Sequence, residues 1–434
     1  MVKPKTPRGM RDFKPQDVYF RQWVIQTLKE IFERHSFQPI ETPAIELKEV
    51  LLKKYGEEER LIFSIEKEGK EDLALRYDLT VPLARFITLN PDVSFPFKRY
   101  HIGKCWRREN PKYGRYREFY QCDVDIVGCE SVLADAEIIS IIVEALEAFG
   151  FEEFRVRINN RKLLKAMMRY AGVLEDKVVS AITACDKLSK LGFNGVRREL
   201  MERGISQKSI EKIFKVMGIG GENFKILEKF EILIEDDSEG VEGILELREL
   251  LNYLKALGVD ERFLRVDMSL ARALDYYTGP IYETYVTKPK IGSLTGGGRY
   301  DELLSMFSKK KVPATGTTIG MERIIDVLKK KDFGKVKTLP RVLITYTERE
   351  MLSKACEIAR DLWERQIDVE LYINPLKKLR KQFEYANKRG IERVIVVGPR
   401  DLEKNQVTLR EMVSGKERKL ELEKLYDLLK HNFN

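Results

Sequence analysis

The chain has 434 residues, 43% hydrophobic and 34% charged, enough for about three domains that each bury a core. Its 78 Lys plus Arg against 69 Asp plus Glu leave a formal charge of +9, which suits a polyanionic partner without requiring one. No apolar run reaches the roughly 18 residues of a membrane span, MVKPKTPRGMRDF has no apolar stretch behind its charges, and five scattered cysteines make no disulfide framework. The expectation is a cytoplasmic protein with no membrane association.

In chain order, the spacing predicts an amphipathic helix over 18–37, then a short strand QPIETPAIE that Pro43 confines to an edge or interface. Next come LALRYDL, a helix over 81–89, the strands FKRYHIGKCW and REFYQCDVDIVG, a helix over 134–148 and the strand FRVRIN. These predict an antiparallel sheet with helices against it. Residues 162–258 are helical in pattern, highly charged and broken by GIGG and DDSEG, which reads as an inserted helical module. Strand patterns return in FLRVDMS and IYETYVT, followed by TGGGRY as a glycine turn and a helix over 319–328. The insertion therefore splits one sheet domain into 1–161 and 259–328. The basic stretch 329–340 reads as a linker. Beyond it, over 341–434, RVLITY, a helix over 349–365, DVELYI, a helix over 376–389 and RVIVVG alternate as in a small α/β domain with a mainly parallel sheet. The fold class expected is α+β.

The hairpin CWRRENPKYGRYREFYQ carries unusual charge for two strands. Alternation puts Arg115, Arg117, Phe119, Gln121, Asp123 and Asp125 on one face, while Arg107 and Glu109 share a parity on the preceding strand. Arginines at one end with carboxylates and an amide at the other suit a ligand that is anionic at one end and cationic at the other. Guanidinium forks match phosphate oxygens, and carboxylates accept from an ammonium or imidazole N–H. A solvated sheet face with cross-strand ion pairs explains the hairpin alone at least as well. Further segments shift the balance: Arg272, Asp275, Tyr276 and Tyr277 in LARALDYYTGPIYE, the run Gly296, Gly297, Gly298 in TGGGRYDEL, and Arg323 in TGTTIGMER. There is no GxxxxGK[ST] motif, and with only His35, His101 and His431 a histidine-based hydrolase or metal site is not expected.

Together RREN, GRYREFYQCDVDIVG, LARALDYYTGPIYE, GGGRYDEL and GTTIGMERI resemble the histidyl-tRNA synthetases of the archaeal and eukaryotic type, in order and over nearly the whole chain. The resemblance implies a class II antiparallel catalytic sheet with flanking helices, a helical insertion and a C-terminal α/β anticodon-binding domain. It implies a homodimer built around the strand and helix of the first class II motif, with Pro43. The substrates implied are ATP, L-histidine and tRNA(His), with Mg2+ bridging the phosphates and no protein ligands for the metal assignable.

For the chemistry, the resemblance implies Arg107 and Arg272 on the α-phosphate as catalytic residues. Glu109 would contact the adenine, Arg115 the γ-phosphate, and Arg323 the phosphates from the opposite side. Asp78, Thr80 and Gln121 would take the α-amino group of histidine. Asp125 and Tyr277 would grip the imidazole, with Tyr276 and Tyr300 lining the same pocket. Asp78 and Asp125 stand where bacterial members carry glutamate, and Ala273 replaces a glycine after Arg272. A catalytically inactive synthetase-like regulator or RNA-binding protein is the rival reading, opposed by the presence of Arg107, Glu109, Arg115, Arg272 and Arg323. Between 374 and 393 seven basic residues face two acidic ones, which suits RNA, with Phe383 and Tyr385 as candidates for stacking on bases.

Overall fold

A computed structural model describes residues 2–52, 56–66, 69–272, 276–289, 291–307, 311–330, 341–374 and 377–431. Asp275, Ala273, most of the expected 329–340 linker and the expected helix start at 376 lie outside these residues. The chain forms two compact units, Met1–Gly334 and Lys335–Asn434.

In the larger unit, α1 (Pro15–Arg34) begins with Pro15, tolerated in a first turn because its missing N–H has no intrahelical partner there. β1 (Gln38–Pro39) and β2 (Ile45–Leu47) flank Pro43, so the single strand expected over QPIETPAIE is two strands in different sheets. β1 runs parallel to β4 (Phe97–Trp106), whereas β2 continues into α2 (Lys48–Leu51) and pairs with β3 (Leu73–Leu75) in a two-stranded ribbon. Next come α3 (Thr80–Leu89), β5 (Glu118–Val127), α4 (Leu133–Ala148) and β6 (Phe154–Asn160). The helical segment comprises α5 (Arg161–Tyr170), α6 (Glu175–Asp186), α7 (Leu188–Glu202), α8 (Gln207–Met217), α9 (Asn223–Glu231) and α10 (Ser238–Ala256). The side chains of Asn160, Ser206 and Asp237 accept first-turn N–H groups of α5, α8 and α10, donors that no helix can satisfy internally. The sheet resumes with β7 (Leu264–Val266), β8 (Pro280–Val286), β9 (Thr295–Arg299) and β10 (Ala314–Ile319), and α11 (Met321–Lys330) follows.

Among the described residues the strand order is β1-β4-β5-β10-β9-β8-β6-β7, antiparallel except for the outer pairs β1–β4 and β6–β7. The chain leaves the sheet after β6 and returns as β7 beside it, so six helices are accommodated without breaking a strand pair. Helix α1 packs on both α4 and α11, which lie against the central strands. Cys122, Val124 and Ile126 of β5 and Ile138, Ile139, Ile141 and Ile142 of α4 are fully or almost fully buried. Burying each large aliphatic side chain is worth about 1.5–3 kcal/mol. Arg299, Asp135, Thr315 and Tyr282 form a buried polar joint between α4 and the sheet.

Three further local expectations change. TGGGRY is not a turn: residues Thr295–Arg299 are a strand paired on both sides, with β8 and β10. Arg115 and Arg117 precede β5, because Lys112 and Arg115 exchange backbone hydrogen bonds in a tight turn and the ladder starts at Glu118. The helix expected from 319 starts at Met321, since Ile319 still pairs with Cys122 and Thr295.

The smaller unit has the order β12-β11-β13-β14-β15. β11 (Val342–Tyr346), β12 (Val369–Leu371) and β13 (Arg393–Val397) are parallel, linked through α12 (Leu352–Glu364) and α13 (Leu379–Arg389). After α14 (Pro399–Leu402), β14 (Gln406–Glu411) and β15 (Glu417–Glu421) form a hairpin that adds an antiparallel half, and α15 (Leu422–His431) ends the described chain. The sheet is thus mixed rather than mainly parallel, because a five-residue connection can only reverse the chain. Phe383 and Tyr385 pack against this unit's core, Phe383 beneath Arg410 and Tyr385 hydrogen-bonded to Glu370, so neither is a free stacking surface.

Candidate active site

The sheet face opposite α1, α4 and α11 carries the charge. On β5 it shows Gln121, Asp123 and Asp125, and on β4 their partners Gly103, His101 and Arg99. On β10, Thr318 lies opposite Asp123 and Gly316 opposite Asp125; on β9, Gly296 and Gly298 lie opposite these in turn. A Cβ at Gly316 would stand 1.9 Å from Asp125 Oδ1, and one at Gly296 would stand 2.3 Å from Arg272 Nη1. The glycine-rich strands are therefore a floor left bare for side chains brought in from elsewhere.

At one end, Asp125 Oδ2 lies 2.7 Å from Arg99 Nη2, and its Oδ1 accepts from the Tyr300 hydroxyl. Tyr276 and Tyr277 stand over this corner, with ring centroids 4.8 Å apart and Tyr276 6.0 Å from Tyr300. Burial pushes the Asp125 carboxyl upward against the pull of Arg99 and Tyr300. Burial likewise raises Asp123 to about 7, opposed by Arg99 and reinforced by Asp125. Asp78 adds a third carboxylate whose charge both feel; its Oδ1 accepts from the N–H groups of Thr80 and Val81 and so caps α3. Thr80 is placed by this cap. His101 is buried beside Arg99 and Arg76, and desolvation followed by these cations pulls it down to about 3, so it is a neutral packed group.

At the other end, Arg107 donates from Nε to the Tyr77 carbonyl at 3.1 Å, and from Nη2 to Gln121 Oε1 at 3.4 Å, with its guanidinium over the Tyr77 ring. Arg115 makes a bidentate pair with the buried Glu109. Arg323 donates to the carbonyls of Gly114 and Ser293 and so ties α11 to the hairpin turn. Burial and the nearby Arg115 both lower the Arg323 pKa, a repulsion that an anion between the two would relieve. Arg272 lies over Gly296 with its Nε sealed from solvent and without a hydrogen-bond partner among the described residues. Glu283 of β8 is felt by both Arg272 and Arg323.

The structure thus gathers Asp78, Thr80, Gln121, Asp125, Tyr276, Tyr277 and Tyr300 toward one end and Glu109, Arg115 and Arg323 toward the other, with Arg107 reaching Gln121. Sequence reasoning missed Arg99, Arg76, Tyr77, Thr318, Gly316 and Glu283. Arg76, in RYDLT, passes over Gly103 to the carbonyls of Lys104 and Thr42. Arg99 could have been found only from the register that sets it opposite Asp125.

The sequence pattern of the histidyl-tRNA synthetases matches residues 9–324, and that of the anticodon-binding domain matches 341–432. Similar proteins include the histidine–tRNA ligases of Aeropyrum pernix, 41% identical over 95% of this chain and 94% of theirs, and of Gloeobacter violaceus, 39% identical over 96% of both. The crystal structure of histidyl-tRNA synthetase from Nostoc sp. PCC 7120 superposes with a TM-score of 0.86 at 30% identity, covering 100% of both chains. With a face that pairs carboxylates at one end with arginines at the other, and with these matches spanning nearly its full length, the chain belongs to the histidyl-tRNA synthetase family.

Proposed function

We propose that the chain is a histidine–tRNA ligase that activates L-histidine with ATP and passes the histidyl group to the 3′ end of tRNA(His). The observation that carries this reading is the bipolar floor: carboxylates and tyrosines at one end, arginines at the other, on strands whose glycines leave room for ligand. In the first step the histidine carboxylate attacks the α-phosphorus of ATP and pyrophosphate leaves. Negative charge grows on the phosphoryl oxygens, so fixed guanidinium groups aimed there lower the barrier most. Arg107 and Arg272 take this role, with the Arg272 guanidinium lying over the bare strand at Gly296. Arg115 and Arg323 hold the leaving phosphates, and Glu109 meets the adenine while sharing Arg115.

Asp78, Thr80 and Gln121 receive the α-ammonium. Asp125 accepts the imidazole N–H while the Tyr277 hydroxyl serves the other nitrogen, with Tyr276 and Tyr300 closing the pocket. An amino acid without those nitrogens leaves buried polar groups unpaired, which is a strong basis for rejection. Mg2+ would neutralise the phosphate charge. The ion would be carried by the nucleotide, with Glu109 and Glu283 as the carboxylates near Arg323.

The 162–258 segment acts as a helical insertion between the catalytic parts 1–161 and 259–328, and 341–434 recognises the anticodon. Exposed Ile45 and Leu47 on β2 support a homodimer formed through the region around Pro43. No helix among the described residues is long and apolar enough to cross a membrane; the site of action proposed is the cytoplasm. The test is charging: the full chain with ATP, Mg2+ and labelled histidine should load tRNA(His), and no other labelled amino acid should be retained. A folded protein that loads nothing would overturn the assignment.

A further inference from the structure

The Gln121 amide stands between the two ends of the pocket. Its Nε2 donates to Asp123 Oδ1 at 3.2 Å and to Thr318 Oγ1 at 3.1 Å, while Oε1 accepts from Arg107 Nη2 at 3.4 Å. An ionised carboxylate only accepts and a guanidinium only donates. One orientation of the amide therefore satisfies both neighbours, and the reverse sets oxygen against carboxylate and N–H against guanidinium.

We propose that Asp123 is a positioning residue, which together with Thr318 locks the Gln121 amide with its carbonyl oxygen toward Arg107, between the two ends of the pocket, ready to accept from the substrate's α-ammonium. This rests on the reading of the site as histidine-activating. Asp123 acts through Gln121, to which its Oδ1 is hydrogen-bonded, rather than through a contact of its own with substrate. A carbonyl fixed in this way adds a directional acceptor beside Asp78 and Asp125 without adding another charge to a crowded corner.

The groups facing Asp123 are Gln121 and Asp125 on β5, Arg99 and the neutral His101 on β4, Thr318 on β10, and Asp78 ahead of α3. Burial raises the Asp123 carboxyl to about 7, so the lock is complete above that pH. Below it, a protonated Asp123 can donate to Gln121 Oε1, and the reversed amide becomes accessible.

The test uses histidine-dependent exchange of pyrophosphate into ATP, with two competitive inhibitors. Histidinol keeps the ammonium and lacks the carboxylate; imidazolepropionate lacks the ammonium. Asp123→Asn should raise the inhibition constant of histidinol about tenfold and that of imidazolepropionate less than about twofold. It should also abolish the pH dependence near 7 of the ratio between the two. Thr318→Val should give a smaller rise with the same selectivity, and it decides the matter should Asp123→Asn not fold by thermal melting. Equal weakening of both inhibitors, or no change in either, in a folded variant overturns the lock. Absence of exchange in the unaltered enzyme would instead remove the reading of the site, and the lock with it.

Discussion

Two pairs of buried carboxylates lie on opposite faces of one sheet, and they are treated differently. On the helix-covered face, Asp135 accepts from Thr315 and from two nitrogens of Arg299, and Glu322 accepts from Arg11, twice from Arg21, and from the backbone N–H of Tyr120. Every oxygen there is used. On the open face, Asp123 and Asp125 are as deeply buried, yet Asp123 Oδ2 has no hydrogen bond among the described residues and Asp125 Oδ2 has only its ion pair with Arg99. A satisfied buried charge joins layers; an under-satisfied one that shares its cation with neighbours is set for a ligand.

The comparison can be broken at four points. The largest effect belongs to the joint: Asp135→Ala leaves the buried Arg299 with only the longer contact to Asp301 at 3.4 Å as a charged partner, which should cost about 3 kcal/mol. Thermal or denaturant unfolding would show it, with the KM for histidine of the folded enzyme hardly changed. Arg272→Ala should act the other way round, lowering the rate of adenylate formation by about 10²–10³-fold with the unfolding midpoint unmoved. Near-normal exchange would remove Arg272 from the reaction. Asp125→Ala should raise the KM for histidine about tenfold or more and leave that for ATP within about twofold; equal losses for both ligands would count against the imidazole assignment.

The smallest effect is at the edge of the helical layer. His35, the C-cap of α1, is pushed upward by hydrogen bonding to Glu137 and Glu144 of α4, against a smaller desolvation penalty. A raised folded value means that this contribution is complete below about 6.5 and disappears as pH rises through the folded pKa. His35→Gln should remove that pH-dependent part of stability. A half-exposed pair of this kind is worth less than about 1 kcal/mol.

Much of the open face was legible because motif residues lie close in sequence. Gln121, Asp123 and Asp125 follow strand parity, and the arginines flank recognisable turns. What parity cannot give is which strand lies alongside. Arg99 and Thr318 become parts of the site only through registers set by antiparallel pairing over long separations. The glycine run misled for a physical reason: three glycines serve a turn and a bare strand equally well, and only Arg272 lying over Gly296 tells them apart. The joint of Asp135 with Arg299 left no local signal, since its members are 164 residues apart. The β14–β15 hairpin escaped because its exposed strand is too polar to announce itself by alternation.

The most direct test of the account is histidine-dependent exchange of pyrophosphate into ATP, measured before any tRNA is added and with the other amino acids as controls. Exchange with histidine alone is the predicted result, and it would assign the bipolar face to amino-acid activation. No exchange by a folded protein, or equal exchange with several amino acids, would contradict the roles given to Arg107, Arg272 and Asp125.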